Sequence, residues 1–296
     1  MRVRVVLATF AVLAVIAGVG IYVAVRSLSN GLPLHLVTQQ CVVDGSGASG
    51  ASGAPDRVVL APPQMANAAT IAAVGIRRGL PTQAVVVALA TALQESKLEN
   101  LAGGDRDSIG LFQQRPSMNW GTPQQISDPR YAAGAFYSAL VKVNGWTTMP
   151  VEDAAQAVQH SADGKAYQRW VGQAQVMATA LTGAEGNAVA CTITDQPNRR
   201  GAAAASALAQ SLATDWGQVD AVPDTGLLGI ELAVDGEQTG WQYAHWLVAH
   251  SADQNIKSVR FGDEFWTART GTWTRSTGDR TVAAGDRVVA EVYAQS

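Results

Sequence analysis

From Val5 to Val25 the chain reads VVLATFAVLAVIAGVGIYVAV, 21 apolar or small residues without a charge. At about 1.5 Å per residue, a helix of that length matches a hydrocarbon core of about 30 Å, which predicts a transmembrane segment. Arg2 and Arg4 precede it and predict a cytoplasmic N-terminus (residues 1–4) with everything downstream exported. A cleavable signal peptide is the competing reading. It needs a shorter apolar region and a small-residue cleavage site, and Tyr22 stands two before Ala24, where a small residue is wanted. The expectation is an uncleaved signal anchor over 5–25.

Residues 26–63 read as a juxtamembrane segment and linker. The stretch HLVTQQCVV has the mix of a strand, and GSGASGASGAP, Gly45 to Pro55, offers no side chains for a core. The polar and apolar pattern then turns helical. Gln64 to Arg78 starts after Pro62-Pro63 and stops at Gly79, and a second helix begins after Pro81. Asp105 to Ser117 mixes Gly, Asp, Arg and Ser in a pattern unlike a helix. Further helices are predicted after Pro129, after Pro150 and from about Tyr167 to Leu181. Several short helices around one polar excursion predict an α-rich domain over 64–194. DQPNRRG, 195–201, reads as a hinge. Residues 202–296 carry two predicted helices and short strands (GLLGIELAV, KSVRF, RVVAEVYA), the pattern of a small α+β domain.

Composition adds three points. Charged residues are only 15% of the chain against 47% hydrophobic, which agrees with a membrane segment. The net charge of −3, with no Lys/Arg patch, excludes an electrostatic case for nucleic acid. The only cysteines are Cys41 and Cys191, both beyond the anchor. Export favours one disulfide closing a long loop over two buried thiols. No His lies at ligand spacing to them, so neither a metal nor another cofactor is predicted.

The chemistry centres on Glu95. Ala84 to Leu93 (AVVVALATAL) is apolar except for Thr91, the mark of a buried helix. Val85, Ala88, Ala92 and Glu95 fall on one face. A general acid has to hold a proton near neutral pH, and partial removal of a carboxyl from water favours that state. An isolated Glu near a helix end usually just pairs with a Lys or Arg, but this one has company. Fifteen residues on comes Gly110-Leu111-Phe112-Gln113, inside the non-helical excursion.

Glu95-Ser96 at the end of a buried helix, followed by the Gly110–Gln113 turn, resembles the goose-type lysozyme and soluble lytic transglycosylase superfamily. Its pattern is Glu-Ser, then Gly-Leu-Met-Gln, then Ala-x-x-Tyr-Asn on a later helix. Here Phe112 replaces the Met, and the resemblance covers about 120 of the 296 residues. It implies a mainly α lysozyme-like domain with a small β/loop excursion, preceded by the transmembrane helix and followed by the small α+β domain. It also implies cleavage of the bond between N-acetylmuramic acid and N-acetylglucosamine, with Glu95 as the acid. Ser96, Gly110, Leu111 and Gln113 would line the saccharide groove.

The third element departs from the family. The best-placed stretch is Ala155-Gln156-Ala157-Val158-Gln159-His160-Ser161, with no Tyr-Asn. Gln159 is left to supply an amide and Tyr167 or Tyr131 a phenol, or else the groove lacks one substrate contact. Asp105 and Asp107 are the candidates for a second carboxylate, against the plainer reading of Asp beside Gly as turn chemistry. Trp120, Trp146 and Trp170 read as core ahead of sugar platforms. The sequence therefore predicts a membrane-anchored, cell-surface peptidoglycan-cleaving enzyme, most readily a lytic transglycosylase, whose partners are glycan strands and the membrane. The alternative is a catalytically weak cell-wall-binding protein.

Overall fold

In the computed structural model, which describes residues 39–46, 54–161, 163–219, 221–224, 228–275 and 285–295, the chain starts with two strands, β1 (Gln40–Asp44) and β2 (Arg57–Leu60). Helices α1 (Pro62–Arg77) and α2 (Thr82–Ser96) follow, then the excursion, the short helix α3 (Pro123–Ile126), and α4 (Pro129–Leu140), α5 (Val151–Gln159) and α6 (Val171–Leu181). A 3-10 segment, Gly164–Trp170, leads into α6. Strand β3 (Val189–Thr192) and helix α7 (Gly201–Trp216) lead to β4 (Ala221–Asp224) and β5 (Gly229–Ala233). Helix α8 (Glu237–Ala249), β6 (Ile256–Phe261), β7 (Glu264–Thr267), β8 (Trp273–Arg275) and β9 (Arg287–Val292) complete the chain.

The proline and glycine signals act where the sequence puts them. Helix α1 opens on a Pro, and the Gln64 side chain accepts from the exposed Ala61 N–H at 2.8 Å. It stops where Gly79 takes a left-handed φ of 68°. Buried residues run almost continuously from Ala68 to Gly75, so α1 has no face to give to solvent. It packs on α2 and α4, and also on α7 and α8.

That central position corrects the expected fold class. The sequence predicts a mainly α domain with a small loop excursion, then a separate α+β domain after a hinge. Instead helix makes up about 46% and strand about 17%, in two sheets. The first is antiparallel, in the order β2-β1-β3, and draws its strands from both sides of the helical region. The second has the order β4-β5-β9-β6-β7-β8. Residues from Gln39 onward form one compact unit, because α1 needs α7 and α8 to cover it. Among the described residues no helix is long and apolar enough to cross a membrane, and the expected span at 5–25 lies outside them.

Cys41 and Cys191 form a disulfide between directly paired residues of β1 and β3. It clamps the two ends of the segment that holds helices α1 to α6. At the centre Asp215 of α7 is fully buried, paired with Arg130 and accepting from Thr70 Oγ1 and Trp246 Nε1, both at 2.8 Å. This carboxylate joins α1, α4, α7 and α8. The C-terminal tryptophans are core: Trp246 and Trp266 are fully enclosed, and Trp216 and Trp241 nearly so.

Candidate active site

Helix α2 is buried on every side from Ala84 to Leu93, held by α1, α4, α5 and α6, and only its two ends reach the surface. It ends abruptly. Lys97 and Leu98 both adopt left-handed conformations, φ 57° and 63°. Such residues cost about 1–3 kcal/mol each. The amides of α1 hold them: Gln64 Nε2 donates to Lys97 O, and Asn67 Nδ2 to Leu98 O, both at 2.8 Å. Burial of Leu98 adds to this. The sharp exit turns the following loop back across the end of α2.

That loop closes as a small hairpin, with reciprocal backbone hydrogen bonds of 2.9 and 3.0 Å between Ile109 and Gln114. Gly110 has φ 77°, and a Cβ there would lie 2.7 Å from Ile126 O, so both conformation and space call for glycine. Ser96 Oγ donates to Leu111 O at 2.8 Å and thereby fastens the turn to the helix end. Leu111 and Phe112 are fully buried, and Phe112 stacks on Phe136 at 4.7 Å. Gln159, at the end of α5, donates to Phe112 O at 2.8 Å. Gln113 turns back onto the Gly110 carbonyl at 3.1 Å. Ser96, Gly110, Leu111, Gln113 and Gln159 therefore share one assembly, in which Ser96 and Gln159 bond the backbone of the turn.

Glu95 is half-buried beside this assembly, and its Oε1 accepts a hydrogen bond of 2.7 Å from Tyr167 Oη. The Tyr167 side chain, carried on the 3-10 segment, is fully buried. Burial pushes its hydroxyl above the ordinary phenol range; a hydrogen bond with Ser161 opposes this, and the neighbouring Glu95 reinforces it. The phenol thus stays protonated and remains a donor to Glu95. Tyr131, the other phenol candidate, lies against Gly121 instead.

The two Asp candidates differ. Asp107 accepts from Arg115 Nε at 2.8 Å and from Ser117 N and Oγ at 2.8 and 3.0 Å. These donors, Arg115 first, hold its carboxyl far below the usual range. Both oxygens are therefore engaged in shaping the loop. Asp105 is 92% exposed, with Arg106 3.9 Å away. Neither is fastened to Glu95.

A cavity of about 550 Å³ is lined by Gln113, Gln159, His160, Met118, Trp120 and Lys142, among others; Glu95 is not among its lining residues. It shares the Met118, Trp120 and Lys142 wall with a second cavity of about 570 Å³ that takes in Arg78, Asn119 and Tyr131. Both cavities thus border Trp120, and the second also borders Tyr131. Among the described residues no group of three or more His, Cys, Asp or Glu side chains is arranged to hold a metal ion.

Gln94, Lys97 and Arg169, none of them signalled by the sequence, gather around Trp170. Gln94 Oε1 accepts from Trp170 Nε1 and Arg169 Nη2, at 2.8 and 2.7 Å, and Lys97 lies over the Trp170 ring. No family model and no curated protein matches this chain.

Proposed function

We propose that the protein cleaves peptidoglycan glycan strands between N-acetylmuramic acid and N-acetylglucosamine, with Glu95 as the acid and then the base. The observation that carries this reading is the half-buried Glu95 carboxyl at the end of a helix whose middle is enclosed, held by Tyr167, with the Gly110–Gln113 turn tied to the same helix end by Ser96. The resemblance of those residues to the lytic transglycosylase superfamily supplies the substrate. The apolar N-terminal run, residues 5–25, supports a place at the outer face of the cell membrane.

In the proposed reaction, protonated Glu95 gives its proton to the glycosidic oxygen as the bond to C1 of the muramic residue breaks. The C6 hydroxyl of that residue then attacks C1, and its proton returns to Glu95. The products are a free hydroxyl on the leaving sugar and a 1,6-anhydro muramic end. Inverting hydrolysis needs a second carboxylate about 6.5–9.5 Å from the acid. Engagement of Asp107 by Arg115 and Ser117 favours the single-acid route. Internal attack also gains from proximity, about 7–11 kcal/mol in well-oriented cases.

Glu95→Gln is expected to lower turnover by about 10²–10⁴-fold, the usual span for a general acid. Mass spectrometry of released muropeptides should show ends one water lighter than hydrolysis products and resistant to borohydride. Full activity in Glu95→Gln sinks the assignment; reducible ends that vanish in Asp105→Asn replace the single-acid route with hydrolysis. The second reading is a catalytically weak cell-wall-binding protein. It is supported by the absence of Glu95 from the lining of the Gln113–Trp120 cavity. Retention of cell-wall binding with no product from the wild-type chain would select it.

A further inference from the structure

Beside Glu95 two cations share one indole. The Lys97 ammonium stands 4.3 Å and the Arg169 guanidinium 5.3 Å from the ring centroid of Trp170. The ring is fixed, because its Nε1 donates to Gln94 Oε1, the same oxygen that accepts from Arg169. Lys97 Nζ donates to Leu93 O at 3.0 Å, at the carbonyl end of α2. The hydrogen-bond acceptors of both cations are thus neutral carbonyl and amide oxygens. Among the described residues neither joins an ion pair. Partial burial, and after it the charge of Arg169, lower the Lys97 ammonium from its ordinary value, while Glu95 acts the other way. Two like charges are therefore held together on a rigid ring without a carboxylate between them.

We propose that Lys97, Arg169 and the Trp170 ring form an anion subsite that receives a carboxylate of the peptide stem carried by the sugar cleaved at Glu95. The inference rests on the glycan-cleaving reading above and deepens it by naming the part of the substrate recognised. In a stem-bearing strand each muramic lactyl carboxyl is consumed in the amide bond to the peptide, so the negative charge lies on the peptide carboxylates. A carboxylate between Lys97 and Arg169 relieves their repulsion and accepts from both beside the Trp170 ring. The subsite accordingly selects stem-bearing strands over neutral chitin-type polymers.

The test is equilibrium binding of the full chain to N-acetylmuramyl dipeptide, which has no bond for Glu95 to cleave, in its free-acid form and with its carboxylates amidated. The free acid should bind about three- to tenfold more tightly, the range expected of two partly exposed charge pairs, and the preference should shrink with salt. Lys97→Gln combined with Arg169→Gln should remove the preference, and Lys97→Arg with Arg169→Lys should restore most of it. Equal affinity for the two forms, no binding of either, or an unchanged preference in the Gln double variant overturns the subsite. Its failure is separable from that of the proposed reaction. A preference with no product from peptidoglycan sinks the reaction and leaves the subsite standing, whereas product without a preference does the reverse.

Discussion

His245 couples pH to the stability of this fold. It lies on α8, fully buried, between the end of α6 and the start of the segment leading into β3. Its Nε2 accepts from Ala188 N at 3.1 Å, so that nitrogen carries no proton, and Nδ1–H must donate to Ala180 O at 2.8 Å. A second proton would set N–H against N–H and bury a charge against Trp241. Burial, opposed by the Ala180 hydrogen bond, lowers the imidazole from 6.5 to about 4. In the unfolded chain the ring titrates near its ordinary value. Between those two pH values the unfolded state therefore binds a proton that the folded state does not. Stability follows with a definite sign: this contribution is fully present above about pH 6.5 and is lost as pH falls toward about 4. At about 1.4 kcal/mol per pH unit the loss reaches about 3 kcal/mol.

The measurement is denaturant unfolding of the wild type and of His245→Gln at several pH values between about 7 and about 4.5. Glutamine can donate to one of the two backbone partners and accept from the other without titrating. The variant should be less stable near pH 7, having lost contact with Trp241, and the difference should shrink steadily as pH falls. Other carboxylates and histidines cancel in that difference. A gap that stays constant within about 0.5 kcal/mol, or an imidazole that titrates near 6.5 by NMR, refutes the reasoning.

Reduction of Cys41–Cys191 releases a loop with a sequence separation of 150, for which chain entropy gives about 5 kcal/mol. Unfolding midpoints with and without reductant should separate accordingly, and coincident curves would show that β1 and β3 hold the loop closed unaided. Tyr167→Phe removes the only side-chain donor to Glu95 among the described residues while keeping the buried ring. As Tyr167 is a positioning residue, kcat should drop about tenfold with KM nearly unchanged, the size of one hydrogen bond to a charged group. An unaltered kcat, or a loss confined to KM, removes that role.

The sequence makes α1 legible through Pro at its start and Gly79 at its end, and α2 through Pro81 before a run that is apolar but for Thr91. Strands β2 and β3 are not legible in the same way. Each is four residues long, too short for alternation to stand out, and each is stabilised by β1 from a distant part of the chain. Residues 195–200 form no regular element, while Gly201, the last residue of the expected hinge, already opens α7. Residues 202–296 read as a separate domain because the sequence does not reveal that α1 needs helices on both sides. Tyr167 is legible only as one of two phenol candidates, beside Tyr131. It lies 72 residues from Glu95, in a 3-10 segment where a regular helix is predicted, so no spacing links the two.

The carboxylates sharpen the point. Leu208, Leu212 and Asp215 succeed one another at spacings of four and three on a helix, the same arrangement as Ala88, Ala92 and Glu95. By pattern alone both acids end an apolar helix face. Their surroundings separate them. Asp215 has no exposure and is enclosed by its ion-pair partner Arg130 and by the donors Thr70 and Trp246, from three other helices, so its charge is balanced in place and no substrate atom can approach. Glu95 is half-exposed, has one neutral donor in Tyr167, and borders a turn whose backbone is fixed by Ser96 and Gln159. An acid that must exchange a proton with a substrate needs one oxygen held and the other accessible. Of these two carboxylates at matching positions, only Glu95 combines one held oxygen with partial exposure, so the proposed chemistry falls to it and the architecture to Asp215.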